Sequence, residues 1–113
     1  MRRAAVAFVV AALASPAEAA DPLYPDAQCA AFVLGRDDYA KRSAYLPQTP
    51  GDAALAAAYR NRAVRLYGGN ARKVDAFIAT ERTVMAFMFE AYIFGGDDQS
   101  HNMHDHLAEL CTP

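Results

Sequence analysis

Val84-Met-Ala-Phe-Met-Phe-Glu-Ala-Tyr-Ile-Phe94 decides the fold. Ten of these eleven residues are apolar by the broad count, and Glu90 is the exception. No alternation of period two runs through the stretch, so it reads as helix rather than strand. A helix that is apolar all round is buried all round or meets a second partner. This one is too short to cross a hydrocarbon layer, which takes about 20 apolar residues. Upstream, Val74, Phe77 and Ile78 stand against Arg72, Lys73 and Asp75, an amphipathic continuation of the same helix. Asn70 is its candidate N-cap, and Gly95-Gly96 ends it.

Working outward, Leu55, Ala58, Tyr59, Ala63, Leu66 and Tyr67 form a second helical stripe before the stop at Gly68-Gly69. Asp52 opens that helix, with Thr49 as a competing cap. Pro47 to Gly51 is a break that no helix crosses. An earlier helix begins at the candidate cap Asp26 and carries Cys29, Phe32, Val33 and Ala40. It stops near Gly35 or runs on through Arg42 to Leu46; an internal glycine costs about 1 kcal/mol relative to alanine. Downstream, Asp97, Asp98 and Ser100 cap a last helix carrying Met103, Leu107, Leu110 and Cys111. The fold class is therefore all-α: a small four-helix domain, with the late third helix at its centre and the others around it.

The chain has 113 residues, a formal charge of −2 and two cysteines, enough for one domain. Residues 1–19 read as a signal peptide. Arg2 and Arg3 are basic, Ala4 to Ala14 is apolar, Ser15 and Pro16 break the run, and Ala17-Glu18-Ala19 is a small-x-small cleavage site. Residues 20–113 then form the single helical domain. Removing Arg2, Arg3 and Glu18 leaves 9 basic and 12 acidic residues, a charge of −3. Such a leader addresses the chain to the periplasm or the outside, where thiols oxidise, and the expected staple is a Cys29–Cys111 disulfide. The acidic balance argues against nucleic acid as a partner, and no segment of the exported chain is a transmembrane span.

Few residues offer chemistry. His101, His104 and His106 fall within six residues, and His101 and His104 share a helical face near Asp105 and Glu109. Imidazole with carboxylate suits zinc, copper or nickel, so His101 and His104 are the candidate metal ligands; a solvated, polar helix start is the alternative. Met85 and Met88 suit Cu(I), but beside Phe87 and Phe89 they read as core. Glu90 is either a tuned acid, a partner for Arg82 or Arg36, or a group that reaches water. Glu81 and Arg82 read as surface charges. Arg60, Arg62, Arg65, Arg72 and Lys73 form a basic stretch that could touch anionic lipid headgroups or an acidic partner, or simply face solvent. No G-x-S-x-G, S-x-x-K, H-E-x-x-H, glycine-rich phosphate loop or C-x-x-C-H occurs, and Ser43 and Ser100 are isolated. The reading is a non-enzymatic chain with no cofactor.

Cys29-Ala-Ala-Phe32 on an early helix, an apolar helix ending in Gly95-Gly96-Asp97, and Leu107-Ala-Glu-Leu110-Cys111 before Pro113 together form a pattern. It resembles the small periplasmic acid-stress chaperones of the HdeA type. The resemblance covers residues 29–33 and 84–113; residues 36–80 have no counterpart in it, and the cysteines here lie farther apart. It implies a helical, client-binding chaperone with one disulfide, released or unfolded by acid.

The composition alone supports the broader expectation of an exported module that binds a protein or ligand. Phe87, Phe89 and Phe94 are its expected binding surface, and a protein client or a second copy its expected partner.

Overall fold

The computed structural model describes residues 23–112. The signal-peptide reading of residues 1–19 lies outside the described residues. Four helices follow in order: α1 (Asp26–Arg42), α2 (Asp52–Leu66), α3 (Ala71–Phe94) and α4 (Asp98–Cys111). No strand occurs among the described residues. The expected all-α, four-helix class is the one observed, and Cys29 and Cys111 are joined in a disulfide.

The centre of the fold is α1, not the late part of α3. Ten of the 17 residues of α1 are buried, against six of the 24 in α3. Much of that burial is carried by Ala27, Ala30, Ala31 and Gly35, small residues whose smooth surface lets other helices come close. Phe32 and Val33 are fully covered; each side chain of this size contributes about 1.5–3 kcal/mol on burial. The ring of Phe32 meets Phe89 of α3 at 5.2 Å between centroids.

Gly35 shows why α1 continues rather than stopping. A Cβ at this position would lie 2.5 Å from Met85 Cβ and 2.8 Å from the Arg82 carbonyl oxygen. The missing side chain is what lets α3 pack directly on the backbone of α1, and burial there outweighs the propensity cost.

Consecutive helices run antiparallel, so α1 and α3, which pack on each other, run parallel. Asp26 and Arg36 of α1 meet Arg62 and Asp52 of α2, respectively. Along α1 and α3 the contacts advance together: Tyr24 meets Phe77, Gly35 lies against Met85, and Tyr45 meets Phe94, while Phe32 and Asp38 reach across to Phe89 and Arg82. At the end of α4, the Tyr59 hydroxyl donates to the Cys111 carbonyl at 2.7 Å.

The helix ends follow local chemistry. Asn70 Oδ1 accepts from the Lys73 N–H at 3.2 Å, capping α3 as its position suggests. Asp97 accepts from the N–H groups of Gln99 and Ser100 at 3.2 and 3.3 Å, capping α4. Beyond α2, Gly68 and Gly69 have φ of 66° and 82°, a conformation that side chains disfavour. Two expected caps differ. Asp26 and Asp52 are the first residues of their helices, after Pro25 and Gly51 as N-caps, and both are buried. Their carboxylates sit beside helix N-termini and take arginines, an arrangement that the positive end of a helix also favours. Leu66, expected on the inner stripe of α2, is 61% exposed, and Ala56 lies inside instead.

Candidate functional site

Late α3 divides between two environments. Met85, Ala86, Met88 and Phe89 point inward, and the two methionines are core, as expected. Val84, Phe87 and Phe94 are exposed. Phe89 therefore leaves the expected binding surface: it is 2% exposed, because its ring fills the gap between Phe32 and His104.

Val84, Phe87 and Ala91 recur at i, i+3 and i+7, which lays them along one flank of α3. Gln99, Ser100 and Met103 of α4 face that flank across a cavity of about 330 Å³. Phe87 is 63% exposed and Met103 45%. Asp97 is the one charged residue on this cavity. The Ser100 hydroxyl and the N–H groups of Gln99 and Ser100, with a smaller contribution from His101, hold its carboxyl below the usual carboxylate range. What remains is an open apolar groove between two helices, closed at one end by a satisfied helix cap.

Phe94 belongs elsewhere. Its ring meets Tyr45 edge to face at 5.1 Å, on a separate cavity bordered by Glu90 and Arg42. Phe87, Phe89 and Phe94 thus occupy three different places. Val84 and Met103 complete the groove around Phe87, and the signal for both was present: Val84 stands three residues from Phe87, and Met103 is an apolar residue among polar ones.

His101 and His104 serve packing, and His106 is exposed. The His104 ring stacks on Tyr92 with centroids 3.8 Å apart, and meets Phe89 edge to face at 5.4 Å. His101 packs on the same tyrosine at 4.6 Å, with Nε2 3.3 Å from the Gly95 carbonyl oxygen. His104 Nδ1 lies 3.1 Å from the Asp105 carboxylate. Among the described residues, no group of three or more His, Cys, Asp or Glu side chains is placed to hold a metal.

Of the basic stretch, Arg60 and Arg62 are taken up in ion pairs, while Arg65, Arg72 and Lys73 are exposed. Arg60 holds Asp75 through two hydrogen bonds of 2.8 Å, which holds the Asp75 carboxyl below its usual range and raises Arg60. Arg62 donates to Asp26 at 3.2 Å. Arg82 is no lone surface charge: it clamps Asp38 with two bonds of 2.8 Å. Arg36 takes Asp52 at 3.1 and 2.8 Å. Glu90 is left exposed and pairs with neither Arg82 nor Arg36. Ser43 Oγ accepts from the Tyr45 N–H, and the Ser100 hydroxyl donates to Asp97, so both serines serve local turns.

A further cavity of about 360 Å³ lies between α2 and α3. Ala53, Ala56, Ala57 and Ile78 line it, and Arg60, Asp75 and Arg82 stand at its edge.

No helix among the described residues is long and apolar enough to cross a membrane. Comparison with protein-family models, with curated proteins and with solved structures finds no match to this chain.

Proposed function

We propose that the chain is an exported, disulfide-closed, non-enzymatic binding protein that takes an apolar segment of a partner protein in the α3/α4 groove. The observation that carries this reading is the cluster of Val84, Phe87 and Met103, exposed around one cavity. Grooves between helices that accept an amphipathic segment have this make-up: apolar anchors at helical spacing and a polar rim. The face carries almost no charge, so docking there strips few ions of water. The leader at residues 1–19 and the disulfide fit a periplasmic or secreted address.

A photoreactive side chain placed at Phe87, in the producing cell, tests the reading. Adducts to a different protein, missing when the probe sits at exposed Ala54, are expected. Adducts to a second copy alone, or none at all, would overturn it.

A second reading, the acid-stress chaperone, is supported by the way the helices are tied. Arg36–Asp52, Arg62–Asp26, Arg82–Asp38 and Arg60–Asp75 join α1, α2 and α3, and acid neutralises the carboxylate half of every pair. With 12 carboxylates neutral and 9 Lys/Arg and 3 His charged, the exported chain moves from −3 to about +12. Self-repulsion then opens the helices while the disulfide limits expansion. Suppression of client aggregation at about pH 2–3 is expected. An intact-disulfide protein that fails to protect its client at molar excess would retire this reading.

A further inference from the structure

Arg42 and Glu90 break the pattern of the other interhelical charges. Arg36, Arg60, Arg62 and Arg82 each take an aspartate. Arg42 and Glu90 border the same cavity of about 270 Å³ yet form no ion pair with each other or with another described residue. The Arg42 guanidinium lies 5.6 Å from the centroid of the Tyr39 ring, and that tyrosine is 4% exposed. The buried ring gives the cation a fixed shelf.

The other walls are aromatic. Tyr45 and Phe94 meet edge to face and are 68% and 61% exposed. Neither ring is spent on the core. Ser43 adds a hydroxyl whose oxygen already accepts from the Tyr45 N–H, which leaves its hydrogen available to donate.

The charges select the ligand. A guanidinium favours a carboxylate through paired N–H donors. A carboxylate flanked by aromatic rings favours an ammonium. An anion alone would suffer from Glu90, and a cation alone from Arg42, so the pair discriminates in favour of a molecule carrying both charges. The volume lies below the roughly 300–1,000 Å³ of sites for drug-sized ligands, and matches a molecule of one residue's size. We infer that this cavity binds a small zwitterion, an α-amino acid with an apolar side chain: carboxylate on Arg42, ammonium on Glu90, side chain against Tyr45 and Phe94. The site is independent of the α3/α4 groove.

The test uses the full, disulfide-closed chain and amide-resolved NMR titration with three probes: L-phenylalanine, its amide (cation only) and its N-acetyl derivative (anion only). L-Phenylalanine shifts the amides of residues 42–45 and 90–94, and the two single-charge probes bind at least about tenfold more weakly. Arg42→Gln and Glu90→Gln each weaken binding by about tenfold or more. Both positions are exposed, so unchanged melting of the variants shows that the fold is intact. Phe87→Ser leaves the titration as it was. No shift up to about 10 mM, equal shifts with all three probes, or full binding by both charge variants would overturn the inference.

Discussion

Side chains tie α1, α2 and α3 to one another, while α4 depends on a covalent bond. Four Arg–Asp pairs and most of the buried residues lie within the first three helices. In α4 only Leu107 and Cys111 are buried, and among the described residues no arginine or lysine pairs with it. It is held by the Cys29–Cys111 bond, the Tyr59 hydroxyl on the Cys111 carbonyl, and the rings of His101 and His104 on Tyr92. The difference teaches that one wall of the apolar groove belongs to a rigid body and the other to a tethered helix. The width of the groove is thus set by how firmly α4 is seated.

The largest expected effect comes from cutting the tether. The bond spans 82 residues of sequence; its removal in Cys29→Ser/Cys111→Ser costs about 2–5 kcal/mol. Chemical denaturation of the variant checks this, and a loss under about 1 kcal/mol would mean that α4 is seated without it.

Breaking the body comes next. Arg36→Ala leaves the Asp52 carboxylate, 4% exposed, without its two donors. A loss of about 1.5–3 kcal/mol is expected by the same measurement. Gly35→Ala places a methyl group where Met85 Cβ and the Arg82 carbonyl stand. Overpacking of this kind costs about 1–3 kcal/mol, and a stabilised variant would show that the α1–α3 contact is looser than described.

Acid sharpens the comparison with a smaller effect. The Lys41 ammonium donates to Asp37 and the Arg60 guanidinium to Asp75, so both carboxyls sit below the usual range when folded. A depressed folded pKa stabilises above the unfolded value, about 3.9 for Asp. That contribution is lost as pH falls from there through the folded values. Both groups are partly exposed, so solvent screens the effect. Asp75→Asn should flatten the acid limb below about pH 4 without moving stability at neutral pH by more than about 0.5 kcal/mol.

The smallest effect on stability falls at the groove. Phe87→Ser alters an exposed position, so melting stays within about 0.5 kcal/mol while partner adducts disappear.

How much of this was legible varies from element to element. The stops at Gly68-Gly69 and the caps at Asn70 and Asp97 are local chemistry, readable where they stand. The central place of α1 was not, because alanines and a glycine bury well without standing out against the phenylalanines of α3. Phe89 and Phe87 look alike in sequence, and only the seat of Phe32 and His104 separates them. The partners of Arg36 and Arg82 were beyond reach, since each aspartate stands 16 or 44 positions along the chain from its arginine.

Amide hydrogen exchange on the protein, with the disulfide intact and then reduced, tests the account most directly. Reduction should strip protection from residues 98–111 while the amides of α1 and mid-α3 keep most of theirs. Protection lost evenly along the whole chain, or retained in α4, would contradict it.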